Sequence, residues 1–197
     1  EEGGESRARM LLSSIFSAFL ILYTVLAIVV IVCAPWLSTY LFPGFAADTE
    51  RLTLLIRILM LQPLLLGLSS LFGVITQYGH RFVLYAISPL LYNIGIICGI
   101  VALYPLYGLP GIGWGVVFGA LLHLAVQLPF VVRHNLRPRF SLTFSWKDVG
   151  DVVRVSLPRA LTLSLHQFVF LGFVGFASLM SVGSVSVFQF AWNLQSV

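Results

Sequence analysis

Residues 156–168, SLPRALTLSLHQF, set Arg159, His166 and Gln167 into a stretch that otherwise reads as lipid-soluble. A guanidinium can grip a phosphate bidentately, and an imidazole can relay protons. Comparable groups recur along the chain at helical spacing. Gly115, Gly119, His123 and Gln127 follow one another at i+4, and so do Ser69, Gly73 and Gln77. Tyr85, Ser88, Tyr92 and Gly95 share a stripe, with Pro89 and Asn93 beside it. Arg159, Thr162 and His166 align next to Gln167, and Gln189, Asn193 and Ser196 align near the end. Residues three and four apart lie on one helix face, so each set draws a polar line along an apolar rod.

Two physical readings compete for these lines. Small residues let helix backbones approach, and isolated Gln, Asn or Ser groups then hydrogen-bond across the contact. Alternatively, the lines face a hydrated cavity between helices, where polar groups meet water or substrate. The Gly115–Gly119 end of its line favours packing. His123 and Gln127 stand evenly between the two readings. Arg159 directly follows Pro158 at the start of a helix, so headgroup snorkelling competes on equal terms with phosphate binding. Arg57, one turn into its own helix, is read mainly as a snorkelling residue.

Several kinds of chemistry lack their residues. No Cys/His set has zinc spacing, and no phosphate-cradling P-loop occurs. The acids are Glu1, Glu2, Glu5, Asp48, Glu50, Asp148 and Asp151, all outside the apolar stretches. Paired carboxylates and a buried acid for a Ser/His/Asp triad are therefore missing. Cys33 and Cys98 fall inside apolar runs and read as small packing residues. The expectation is a protein that is not an enzyme and has no metal or cofactor.

The elements that must hold these groups follow from composition. The chain is 59% hydrophobic and 9% charged, with mean hydropathy +1.00, whereas soluble domains carry about 25% charged residues. Residues 10–47, 58–80, 82–132 and 160–197 contain no Asp, Glu, Lys or Arg. One helical span needs about 20 apolar residues, so these runs hold at least five spans. We expect an all-α polytopic bundle with helices near 10–32, 52–76, 82–103, 112–132 and 158–180, and a sixth opening at 185. Prolines, aromatics and acids break the chain at 34–50, and YPLYGLPG (104–111) forms a turn. Trp36, Tyr40 and the tyrosines of that turn suit an interfacial belt. Pro63, Pro89 and Pro129 predict kinks.

Loop charge sets the orientation. Arg7, Arg9, Arg81, Arg133, Arg137, Arg139, Lys147 and Arg154 flank one side of the spans, against Arg51 and Arg57 on the other. The first set is expected to face the cytoplasm. The pI of 9.4 thus reflects loop arginines and not nucleic-acid binding. Within the 133–157 loop, Ser145 and Asp148 fit a capping box. Trp146, Val149 and Val153 make one apolar stripe, which predicts a short helix lying on the membrane surface. The acidic start is not a signal peptide, and an opening at Glu1 with an end inside an apolar run reads as an internal piece of a longer protein.

In chain order, APWLSTYLFPGFAADTE (34–50), QPLLLGLSSLFGVITQYGHRF (62–82), SPLLYNIG (88–95), VQLP (126–129), SLPRALTLSLHQF (156–168) and GSVSVFQFAWNLQSV (183–197) form a series. The series resembles consecutive landmarks of the MviN/MurJ lipid II flippases, within the multidrug/oligosaccharidyl-lipid/polysaccharide exporter superfamily. The resemblance runs over essentially the whole chain. It implies a piece of a two-lobed, fourteen-helix alternating-access transporter, from its third helix to the opening of its eighth. It implies a multi-pass protein of a bacterial cytoplasmic membrane that moves an undecaprenyl-linked peptidoglycan precursor outward. Its partners would be that lipid-linked precursor, membrane lipids and, further, cell-wall synthesis proteins. Pro89, Asn93, Gln127, Pro158 and Gln167 match family landmarks as structural or cavity-lining residues. The family often carries an arginine with a nearby acid where this chain has Asn193 and Ser196.

The substrate-pathway candidates are therefore Arg159, His166, Gln167, His123, Gln127, Asn93, Gln189 and Asn193. Export of another lipid-linked polysaccharide, or of drugs, is the alternative. A non-transporting membrane scaffold that recruits partners through its basic loop is the rival from a different class.

Overall fold

In the computed structural model, residues 2–133, 137–141 and 145–195 are described, and helix dominates them throughout. Helix α1 (Glu2–Leu41) is longer than the 10–32 expected and runs through Pro35 to stop short of Pro43. Pro35 lies inside it, and the missing N–H frees the carbonyl of Ile31. Arg57 Nε donates to that carbonyl at 3.4 Å. The guanidinium thus re-satisfies a backbone acceptor at membrane depth, as spanning helices require.

Pro43 then opens a short 3₁₀ turn, Pro43–Asp48, which leads into α2 (Thr49–Leu59) and α3 (Leu61–Tyr78). The expected single helix at 52–76 is divided at Met60. Pro63 sits in the first turn of α3, where its absent N–H leaves no gap. The Met60 carbonyl accepts a hydrogen bond from the Tyr23 hydroxyl of α1.

Helix α4 (Phe82–Cys98) carries Pro89 inside it and runs through a π turn at Gly99–Leu103 into the four-residue α5 (Tyr104–Tyr107). Gly108 at φ 63° reverses the chain. Helix α6 (Leu109–Ala125) and the short α7 (Leu128–Arg133) share the fourth span, and Pro129 in the first turn of α7 marks the joint.

The closest packing is between α4 and α6. A Cβ on Gly95 would overlap the backbone of Gly119, and one on Gly99 would overlap Gly115. These glycines let two backbones touch, the close approach expected for the Gly115–Gly119 line. At the other end, Phe72 and Ile75 of α3 and Val131 of α7 form a buried cluster that Leu12 and Phe16 of α1 flank. Backbone N–H groups of Arg139 and Ser141 donate to the hydroxyls of Ser13 and Ser17 at 3.0 Å each, tying the following segment to α1.

Helix α8 (Trp146–Ser178) corrects one expectation. The surface helix predicted within 145–156 and the span predicted at 158–180 are continuous, with Pro158 inside a single 33-residue helix. Proline forfeits one backbone bond and the ladder resumes beyond it, with Thr162 Oγ1 donating to the Pro158 carbonyl at 3.1 Å. The Asp148 side chain of the predicted capping box lies outside the described residues. Helix α9 (Ser184–Gln195) folds back on α8. Among the described residues, five stretches are long and apolar enough to cross a membrane: Ser6–Leu41, Thr49–Tyr78, Phe82–Tyr107, Leu109–Arg133 and Val149–Ser178.

Candidate functional site

The polar lines resolve into two groups. The first sits where α3, α4 and α6 meet. Its centre is Gln127, at the joint between α6 and α7 and 0% exposed. Gln127 Nε2 donates to Ser69 Oγ at 2.8 Å and to Ser88 Oγ at 3.1 Å, joining three helices through one amide. Ser69 Oγ also lies 2.6 Å from His123 Nδ1 and 3.1 Å from the His123 carbonyl. Ser88 in turn donates to the Leu84 carbonyl at 2.8 Å. The i+4 lines of three helices are thus parts of one cluster. The glycine contacts of α4 and α6 help bring Ser88 within hydrogen-bonding distance of Gln127.

One acceptor of that cluster is left over. Gln127 Oε1, facing Gly73, is the buried side-chain polar atom without a partner among the described residues. An orphan acceptor in a dry contact carries a desolvation penalty, and here it points into the notch that the absent Gly73 side chain leaves. A second polar bridge lies further along the same helices, where Gln62 Nε2 donates to the Tyr92 hydroxyl at 2.9 Å.

The second group lies on α8 and α9. Arg159, His166 and Gln167 on α8 are exposed, as are Gln189 and Asn193 on α9. Every residue from 150 to 169 is exposed, and closer packing resumes at Phe170. Among the described residues, α8 touches only α1, the Pro43–Asp48 turn and α9. The His166 ring stacks near Trp192 at 5.1 Å between centroids, at the head of an aromatic ladder with Phe170 and Phe188. This ladder holds α9 against α8 and sets His166, Gln189 and Asn193 near one hairpin. Asn93 is also exposed, on the outer side of α4, and joins neither group. Ser196 lies outside the described residues.

Sequence reasoning placed Ser69 and Ser88 on polar lines without naming them as site residues. The signal available was their place on the i+3/i+4 lines of α3 and α4. Arg57, read as an anchor to headgroups, instead caps a carbonyl that Pro35 frees, and the distance between those residues in sequence hides that link.

Across its whole length, residues 1–197, the chain matches the family model described as Lipid II flippase MurJ. The chain belongs to the MurJ family. It is 32% identical over 160 residues to a probable lipid II flippase MurJ of Buchnera aphidicola, covering 77% of this chain and 31% of that protein. A probable lipid II flippase MurJ of Bdellovibrio bacteriovorus is 28% identical over 98% of this chain and 38% of its own length. The lipid II flippase MurJ of Burkholderia cenocepacia is 27% identical over 86% of this chain and 35% of its own. The chain therefore spans roughly a third of the length of these MurJ relatives. A multi-pass helical membrane protein is what both the family and the five apolar helices give.

Proposed function

We propose that the protein containing this chain is a flippase, not an enzyme. It moves a polyprenyl-pyrophosphate-linked peptidoglycan precursor from the inner to the outer leaflet of a bacterial cytoplasmic membrane by alternating access. Family membership supports the substrate class. The observation that carries the reading here is the polar line of α8, which sets Arg159, His166 and Gln167 on a helix apolar enough to span a membrane. Polar groups at that depth are costly against lipid and are retained where they face a water-filled path or a partner. A pyrophosphate headgroup with sugars cannot cross hydrocarbon unaided, and a guanidinium at the mouth of a hydrated path can grip it in a fork. His166, Gln167, Gln189 and Asn193 then offer hydrogen bonds to the passing headgroup, while the polyprenyl tail stays in lipid. Cell-wall synthesis proteins are further partners in this reading.

A second reading has one observation in its favour. Asn193 occupies a position where the resemblance leads one to expect an arginine, and it is exposed on α9. A neutral amide there suits a headgroup with less charge, so export of another lipid-linked polysaccharide is the runner-up.

The deciding experiment depletes the parent protein in its host and quantifies lipid II exposed at the outer face of spheroplasts. Exposure is expected to fall on depletion and to recover with the wild-type gene. With Arg159→Ala it is expected to recover about tenfold less well, the loss of one charged hydrogen-bonding partner. Exposure indifferent to the protein would reject lipid II as the substrate and turn attention to other polyprenyl-linked glycans.

A further inference from the structure

Between the α3–α4 turn and α7 lies a crevice of about 650 Å³, with His80, Arg81 and Arg133 at its polar rim and Phe82, Pro129 and Phe130 among its apolar walls. None of these residues belongs to the polar cluster at Gln127 or to the α8–α9 hairpin. The turn that builds the rim is closely specified. Helix α3 closes with the Arg81 N–H on the Thr76 carbonyl at 2.8 Å and the His80 N–H on the Gln77 carbonyl at 3.0 Å. This double cap demands a left-handed residue between them, and that residue is His80 at φ 56°. Glycine fits such a position without strain and histidine does not. The chain does place a glycine one residue earlier. There a Cβ would overlap the Phe130 ring, so Gly79 lets the ring come up against the turn.

The consequence is a fixed cationic edge over an aromatic floor. The Arg81 guanidinium lies 5.9 Å from the centroid of Phe130, and stacking of that kind orients the fork while leaving its donors outward. Arg133 ends α7 on the other lip. No Asp or Glu occurs in the sequence between Glu50 and Asp148. Among the described residues the one ion pair is Arg51–Asp48, on a different turn. Two guanidiniums and an imidazole thus share a crevice with apolar walls and with no carboxylate from its own elements.

We propose that this crevice binds the phosphate of an anionic phospholipid headgroup, in the leaflet that meets the α3–α4 turn, as a site separate from the transport path. Arg81 and Arg133 donate to the phosphate oxygens from two sides, the geometry guanidinium favours for that group. His80 adds a third donor at the rim. The walls of Phe82, Pro129 and Phe130 accept the glycerol and the first acyl carbons, which a free phosphate would not need. In the orientation that loop charge favours, this is the inner leaflet, where anionic lipids concentrate. A lipid seated here meets the end of α3, the start of α4 and the end of α7 at once.

The test uses the full-length protein in phosphatidylcholine nanodiscs containing graded fractions of phosphatidylglycerol, with retained lipid counted by native mass spectrometry. The wild-type protein is expected to retain phosphatidylglycerol over phosphatidylcholine. Arg81→Gln with Arg133→Gln is expected to weaken retention about tenfold, and Arg51→Gln with Lys147→Gln to leave it unchanged. His80→Gly relieves the turn and removes the imidazole, so it is expected to weaken retention two- to threefold, by roughly one neutral donor, with no loss of thermal stability. This variant keeps the test decisive if the double variant folds poorly. Equal retention in His80→Gly and in a folded double variant would overturn the site. Equal loss in the Arg51/Lys147 variant would reduce it to general charge attraction and overturn it likewise. Displacement of the lipid by inorganic phosphate at matching concentration would overturn the lipid assignment in favour of a soluble phosphate. None of these readouts depends on transport, so the proposal can fail while the flippase reading stands, and the reverse.

Discussion

The α6–α7 span and helix α8 each carry a histidine and a glutamine on an otherwise apolar rod, and the two pairs have opposite fates. His123 and Gln127 are drawn into a cluster with Ser69 and Ser88, and Gln127 is fully buried. His166 and Gln167 stay exposed, with an aromatic neighbour for the histidine and no helix of the α2–α7 group against them. Residue type does not separate these cases. One difference is the glycine line beneath α6, which lets α4 come to backbone contact and brings Ser88 within reach. Helix α8 has glycines too, but Gly172 has open space where a side chain would stand. Polar groups in a membrane helix therefore act as glue where small residues permit closeness, and remain available to solvent or substrate where they do not.

The contrast can be broken at its strongest point by Gly119→Leu. A leucine there must push into the backbone of α4, and overpacking of this kind costs about 3 kcal/mol or more. The purified parent protein should lose most of its thermal stability in detergent. An unchanged melting temperature would show that the α4–α6 contact is not what unites the cluster.

Gln127→Ala should have a smaller effect, about 2 kcal/mol, because it removes one amide shared by two hydroxyls and also its own orphan acceptor. Thermal unfolding compared with Ser69→Ala and the double variant would measure the coupling. Additive losses would show that the two side chains do not act as one cluster.

The smallest effect sharpens the other half of the comparison. His166→Ala and Gln167→Ala should shift stability by no more than about 0.5 kcal/mol, as surface positions do. In a Cys33→Ala/Cys98→Ala background, cysteines at 166 and 167 should react with a membrane-impermeant thiol reagent, whereas one at 127 should resist it. A protected 166 and 167 would mean that α8 is packed on that face in the parent protein, and would favour a scaffold over a transport path.

Much of this was legible in the sequence, and the reason is physical. Lipid excludes charge so strongly that the charge-free runs alone outline the spans. The requirement that small residues meet small residues made the Gly115–Gly119 line readable as a packing seam. What remained hidden is partner choice. Periodicity shows which face Ser69, Ser88 and Gln127 occupy, but which faces meet depends on three helix trajectories at once. The division at Met60 and the continuity through Pro158 were hidden for a related reason. A proline weakens a helix locally, and whether the chain breaks there depends on whether its neighbours re-satisfy the freed carbonyl. The Arg57–Ile31 bond is the clearest case, since it joins residues 26 apart to repair a gap made by a third, Pro35.

The way α8 is attached has a mechanical meaning. Its grip on α1 and the turn after it is concentrated at one end. There a Cβ on Gly44 would overlap the Ser178 backbone, and one on Gly175 would stand 3.1 Å from the Leu41 carbonyl oxygen. A close backbone contact of this kind can serve as a fulcrum, with the rest of α8 as its arm. Arg159 lies sixteen residues from Gly175, about 24 Å along a helix, so a tilt of about 10° at the fulcrum would swing its guanidinium by about 4 Å. That swing exceeds the length of a hydrogen bond, so a small rotation at one end of α8 is enough to make or release a grip at the other.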